Sequence, residues 1–368
     1  MFRLIRSAFQ SVPSERKHDC LAGDPSWRQL RSLVLLVAST AVISLTVTSE
    51  RVGVARAADP EDFSGGAEAG LNRSSSRNIS AGSDPALALL RDESAGSGRK
   101  LGDLRGGEIS NRDALEKVDV RVGRDGRPRL AAVPGFDSSL GGRAVALTRS
   151  NNFVFFSIRP DLQSFAEELV GKAPSPHVAV VVMNAKTGAV LAMADKSPEI
   201  PSLALHADFP AASLFKVVTA AAAVEQRQVE PDTQIAFRGG TYTLEAWNYL
   251  PDPRRDRRSM TVAEALGRSC NPVFGHIGMR LLGSETLQKY AHAFGFNVPL
   301  GFELPLVESR ALIPTADDFS LSRTAAGFGE VSISPVHAAA LMAGIANGGL
   351  LPRPTLVDRV VSDGGEVL

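Results

Sequence analysis

Cysteine is nearly absent: Cys20 and Cys270 are the only two in 368 residues. Two thiols at that separation make neither a disulfide framework nor a metal-binding spacing. Histidine is scarce as well. The six present include no i, i+4 pair and no carboxylate cluster around them, so no metal site and no cofactor is expected. Neither sign of charge is in excess, with 40 Lys+Arg against 40 Asp+Glu, and nothing in that balance points to a nucleic-acid partner. No internal repeat is visible. Apolar residues, by contrast, make up 44% of the chain, enough for a sizeable core. The length suits one large domain with extras, or two modest ones.

The chain changes character along its length. Residues 1–31 carry Arg3, Arg6, Arg16, Lys17, Arg28 and Arg31. Ser32 to Ser49, "SLVLLVASTAVISLTVTS", holds no charge. That run is at the lower limit for a bilayer span, which takes about 17–25 apolar residues. Arginines before it place the N-terminus in the cytoplasm. Residues 32–49 therefore read as a single-pass anchor of the inner membrane. Ala55-Arg56-Ala57 supports a rival reading as a cleaved signal peptide. Either reading delivers the rest of the chain outside the cytoplasm. Residues 50–115 are rich in Gly, Ser, Ala and Asp, with few aromatics, and read as a flexible linker.

A small β element is expected at 116–150, where "VDVRVGRDGRPRLAAV" alternates around Asp125-Gly126. From Asn151 the composition is globular. "DLQSFAEELV" is amphipathic and helical, and "HVAVVVMN" and "AVLAMAD" are apolar strands. "SLFKVVTAAAAVEQ" is an Ala-rich helix, and Thr261 to Glu264 spells a capping box that opens another. "PVHAAALMAGIANGGLL" is a helix closed by Gly348-Gly349. Strands first and helices after, without regular βαβ alternation, imply an α+β fold for 151–368.

Chemistry concentrates in two short motifs. Ser213-Leu-Phe-Lys216 starts the Ala-rich helix. Residues three apart share a helix face, so the Ser213 hydroxyl and the Lys216 amine can meet. Taken alone, Ser213 is as well explained as an N-cap and Lys216 as a solvated side chain. Ser269-Cys-Asn271 follows 56 positions later, at a helix end before Pro272. Its hydroxyl can relay a proton between Lys216 and a leaving amine. The Asn271 carboxamide can hold a substrate amide and help position Lys216. An acyl-transfer serine needs that set: nucleophile, base and proton path. Burial would lower the lysine pKa and make it a competent base.

These motifs sit within collinear blocks, among them "MNAKTGAVLAMAD", "FPAASLFKVVTAAAAVE", "EALGRSCNPVFGHIG" and "AAGFGEVSISPVHAAALMAGIANGGLLPRPTLV". From about Phe153 onward the chain resembles the transpeptidase domain of penicillin-binding proteins, most like the monofunctional elongation and division enzymes. The resemblance implies the penicillin-binding-protein/serine β-lactamase-like fold, an antiparallel sheet with helices. It implies a membrane-anchored D,D-transpeptidase with Ser213 as nucleophile, Lys216 as base, Ser269 as proton relay and Asn271 as substrate contact. The implied partners are peptidoglycan stem peptides, β-lactams, the membrane and other proteins of cell-wall synthesis. A non-catalytic cell-wall scaffold, or a β-lactam sensor or serine β-lactamase relative, is the alternative.

A third family signature, Lys-Thr-Gly, occurs here as Lys186-Thr187-Gly188 in "NAKTGAV". In the family the catalytic triplet follows the other two motifs, whereas this one precedes both. Asn184 and Gly188 are turn residues, so the triplet reads as an ordinary turn between two strands. The resemblance places the true Lys-Thr-Gly strand after "LVDRVV", Ser362-Asp-Gly-Gly365 and "EVL", which read as a hairpin with a three-residue return. The chain is therefore expected to lack that strand and to be inactive alone. The apolar face of the Ser213 helix is expected to stand uncovered.

Overall fold

The computed structural model describes residues 115–140, 142–362 and 364–368. The expected tail, anchor and most of the linker lie outside the described residues. Short strands come first: β1 (Lys117–Val118), β2 (Val120–Val122), β3 (Pro128–Leu130), β4 (Ser139–Leu140), β5 (Arg143–Thr148) and β6 (Phe153–Phe156). Then α1 (Pro160–Lys172) leads into β7 (Val178–Met183) and β8 (Val190–Lys196). The helical part holds α2 (Phe215–Glu225), the hairpin β9 (Gln234–Phe237) and β10 (Arg258–Thr261), α3 (Val262–Gly267), α4 (Asn271–His276) and α5 (Gly283–Ala293). It continues through β11 (Arg310–Ala311), α6 (Asp318–Ala325), β12 (Val331–Ser332) and α7 (Pro335–Ala346) to β13 (Val357–Val361).

The Asp125-Gly126 hairpin forms as the sequence implies: β2 pairs antiparallel with β3, and Gly126 takes φ 75°. The β element does not stop at residue 150, because Leu147 of β5 pairs with Phe153 of β6. β13 adds to the other side of β6, giving the order β1-β5-β6-β13 with β4 on β5. Successive residues of a strand face opposite sides. Accordingly Ala144, Ala146, Val154 and Phe156 enter one core cluster, while Val145, Leu147, Phe153 and Phe155 enter another. After β13 the chain turns back, with Ser362 N donating to Glu366 O and Leu368 N to Val360 O.

β7 and β8 form an antiparallel hairpin as expected. α1 covers β8 through Leu162, Ala166 and Val170. Buried Gln163 locks the pair by donating to Met193 O and accepting from Met193 N, each at 2.9 Å. The hairpin is joined to the segment before β13 by Val190 N to Thr355 O and Thr355 N to Gly188 O. Gly188, at φ 77°, lies under the Arg353 carbonyl, where a Cβ would collide. That close crossing is why the third residue of the Lys-Thr-Gly triplet is glycine.

The largest core cluster surrounds α2. Phe215, Val217, Val218, Ala220, Ala222 and Ala223 are all buried, and only Leu214, Ala221 and Val224 stay half-exposed. Phe274, Ile277, Leu287 and Leu321 supply much of the cover. The expected uncovered face of the Ser213 helix is thus not found. The reason is topological: α3 to α6 wrap α2, so its apolar surface is spent on helix packing. Thr261 caps α3 by accepting from Glu264 N at 3.0 Å, as its spelling predicts. Among the described residues no helix is long and apolar enough to cross a membrane.

Candidate active site

The site assembles where three chain segments meet at the start of α2. The first is the lead-in to the helix. Ala211 N donates to Val331 O at 2.8 Å, which ties this lead-in to β12. Ala212 to Leu214 then make one 3-10 turn before α2. Ala212 stands at φ 47°, a left-handed conformation that costs a non-glycine residue roughly 1–2 kcal/mol. Ser213 makes no side-chain cap to the helix, so the N-cap reading does not hold. Its hydroxyl points instead to other side chains.

The second segment is the end of α3. Ser269 N donates to Leu266 O and Cys270 N to Ala265 O, the paired closure of a Schellman motif. That motif puts Ser269 at φ 55°, a position usually held by glycine. A serine there is a second local cost, and strain of this kind clusters at functional sites. Its Oγ lies 2.6 Å from Ser213 Oγ. Pro272 then opens α4, with Asn271 at its start. Cys270, between them, is fully buried and a free thiol. Burial pushes its pKa up, so the thiol stays neutral.

The third segment is the end of α6. Lys216 is 1% exposed. Its Nζ donates to Ala326 O at 2.7 Å and to Ser213 Oγ at 3.0 Å. Thr219, one turn along α2, donates to Ala325 O at 2.8 Å. Gly327, at φ 93°, abuts the Ala212 carbonyl so closely that a Cβ would collide. The ring of Phe328 lies 6.0 Å from Lys216 Nζ. This turn therefore fixes the lysine and braces the strained residue before Ser213. Sequence reasoning did not assign it a role, because a carbonyl acceptor leaves no side-chain signature. Gly327 inside "AAGFGE" was the available signal.

Burial lowers the Lys216 pKa from 10.5 to about 8, and the nearby Cys270 opposes that shift. No acidic side chain is needed to activate the amine, because the cost of desolvating an ammonium does it. The arrangement is a continuous chain of the Lys216 amine, the Ser213 hydroxyl and the Ser269 hydroxyl. Asn271 is placed differently from the expectation. Its Nδ2 donates to Tyr242 O at 2.6 Å and its backbone N to Thr241 O at 2.8 Å. Among the described residues no bond joins Asn271 to Lys216; the Ala326 carbonyl holds the lysine instead. Lys186 lies apart, exposed in the β7–β8 turn, where its N–H and that of Thr187 bond Asn184 Oδ1. The triplet is an Asx turn, as its position in the chain implied.

A serine and a buried lysine three residues apart, with a second serine in contact, match the pattern of the penicillin-recognising serine enzymes. The sequence pattern of the penicillin binding protein transpeptidase domain matches residues 178–366. The chain belongs to that family, and its α+β architecture is the family's. It is 31% identical over 238 residues to peptidoglycan D,D-transpeptidase PbpA of Mycobacterium tuberculosis, covering 62% of this chain and 43% of that protein. Penicillin-binding protein PbpB of the same organism is 27% identical over 394 residues, covering 97% of this chain and 55% of that one. Among solved structures, the penicillin G acyl-enzyme of M. tuberculosis penicillin-binding protein A superposes with a TM-score of 0.48. It is 27% identical and covers 61% of this chain and 57% of that chain. The chain thus spans about half the length of the relatives it matches.

Proposed function

We propose that this chain carries the acyl-enzyme chemistry of a peptidoglycan D,D-transpeptidase. The contact of Ser213 Oγ with Lys216 Nζ at 3.0 Å and Ser269 Oγ at 2.6 Å carries this reading. Ser213 Oγ attacks the carbonyl carbon of the penultimate D-Ala of a stem peptide, and its proton passes to Lys216. The tetrahedral oxyanion is met by the N–H of Ser213 itself. The C–N bond then breaks, and Ser269 passes a proton from Lys216 to the departing D-Ala amine. An amine of a second stem peptide attacks the ester and frees the serine. Asn271, tied to Tyr242 O through Nδ2, presents its carboxamide oxygen toward a substrate N–H.

β-Lactams acylate the same serine, because their strained amide places a carbonyl at the same point. With residues 32–49 as anchor, the site stands outside the cytoplasm of the inner membrane. The test is labelling with fluorescent penicillin followed by peptide mapping. Against the expectation from sequence that the chain is inactive alone, the adduct is expected on Ser213, because α2 is packed and Ser213, Lys216 and Ser269 are already in contact, and it is expected to vanish in Ser213→Ala. Labelling that persists in that variant overturns the assignment.

A further inference from the structure

The connection between β9 and β10 runs from Arg238 to Arg257, while its ends stay adjacent through the Phe237–Arg258 pair. Loops beyond about 12–15 residues without secondary structure are uncommon in packed domains and are usually functional. This one is built to be rigid. Asn248 is fully buried; its Nδ2 donates to Arg238 O at 3.1 Å and Thr243 O at 3.0 Å, and its Oδ1 accepts from Glu245 N at 2.7 Å. Arg238 pairs with Asp256 at 2.8 Å and also donates to the Leu250 carbonyl at 3.0 Å. Trp247 lies with its ring against Gly239, at φ 84°, where a Cβ would meet the ring at 2.7 Å.

What this frame displays is two exposed aromatic rings and three arginines, with Glu245 as the one exposed acid of the loop. Tyr242 is 73% exposed and Trp247 49%. Arg254, Arg255 and Arg257 are exposed, and among the described residues no carboxylate reaches their guanidinium groups. The two acids beside them are already engaged: Asp256 binds Arg238, and Asp252 Oδ1 accepts the Arg254 N–H at 3.0 Å. The loop also touches the catalytic strip directly. The backbone carbonyls of Thr241 and Tyr242 accept both Asn271 contacts. The loop is therefore anchored by its Thr241–Tyr242 backbone to the residue two positions after Ser269, whose hydroxyl touches Ser213.

We propose that this loop is a recognition platform for the peptide substrate of Ser213, in which Tyr242 and Trp247 seat the chain and Arg254, Arg255 and Arg257 bind carboxylates N-terminal to the reacting D-Ala-D-Ala. The inference rests on the transpeptidase reading and adds an acidic-peptide preference to it. Three exposed charge contacts are together worth about a tenfold gain in affinity at low salt. That gain fades as added salt screens it.

The probes are peptides ending in D-Ala-D-Ala, with an N-terminal extension of either three glutamates or three glutamines. Binding is followed on the Ser213→Ala chain by calorimetry and by the fluorescence of Trp247, one of two tryptophans in the sequence. The glutamate peptide is expected to bind about tenfold tighter at low salt, with the advantage shrinking as salt rises. Combining Arg254→Gln, Arg255→Gln and Arg257→Gln is expected to erase the difference, with an unchanged thermal melt. Equal binding of the two peptides by the parent loop, or a glutamate preference that survives the triple substitution, overturns the proposal. So does binding to anionic lipid vesicles that the substitutions abolish while the two peptides bind equally, since that outcome reassigns the loop to a membrane surface. Penicillin labelling of Ser213 in the parent, read beside these data, separates failure of the loop proposal from failure of the serine assignment.

Discussion

Acid should destabilise this protein through one buried ring. His337 is 1% exposed, in the first turn of α7. Its Nε2 lies 2.8 Å from Phe294 O, so the neutral ring is the tautomer that donates from Nε2. Nδ1 is buried and has no hydrogen-bond partner. The Phe296 ring packs 4.9 Å away, centroid to centroid. Protonation would add a charge and an N–H with nothing to accept it. Burial therefore lowers the His337 pKa from 6.5 to about 4.

Between those values the unfolded chain binds a proton and the folded chain does not, so unfolding is favoured as pH falls through that window. The full difference is worth about 3 kcal/mol at about 1.4 kcal/mol per unit. Of this, about 2 kcal/mol is lost between about pH 7 and about pH 5. His276 is also lowered by burial and adds to the trend, whereas buried Glu303 is raised and opposes it. His337→Gln isolates the ring, because a glutamine N–H can still donate to Phe294 O and nothing titrates. Urea unfolding of parent and variant at the two pH values is the assay. The parent is expected to lose about 2 kcal/mol more than the variant on acidification. Equal losses in the two proteins refute the argument.

Three further outcomes follow from the site. With Lys216 lowered to about 8 by burial, the neutral amine grows as pH rises, so penicillin acylation should increase about tenfold per pH unit below that value and level off above it. A rate that is flat from about pH 6 to about pH 9 counts against Lys216 as the base. Gly327→Ala should cost at least about 1 kcal/mol and slow acylation more than tenfold, because φ 93° and the Ala212 carbonyl both exclude a Cβ. Unchanged labelling kinetics and melting temperature contradict that. Lys186→Ala should leave acylation within about a fewfold of the parent, since an exposed turn side chain carries little energy; a drop of orders of magnitude would restore the triplet to the catalytic site.

The Ser213–Lys216 pair was legible because the two are three residues apart, a spacing that a helix converts into contact without help from the rest of the fold. Ser269 and Asn271 were legible only as a second motif, and the meeting of Ser269 with Ser213 follows from how α3 packs on α2. Strand and helix positions were read from period-two and helical patterns, and the hairpin at Asp125-Gly126 and the caps at Thr261 and Gly348 from single-residue stereochemistry. All of these are local properties, fixed by φ/ψ preference and hydrophobic spacing.

What the pattern left open was decided by contacts between distant segments. The covering of α2 depends on four later helices, so its fate could not be read from its own apolar face. The acceptor that holds Lys216 is the carbonyl of Ala326, a backbone group that every residue type offers alike. Gly188 and Gly327 are required by chains that cross them from elsewhere. The lysine pKa likewise comes from burial among side chains of several elements. The sequence determined which groups can react, because reactivity resides in side-chain type. The tertiary structure decided which become reactive, because desolvation and alignment exist only once the chain has packed.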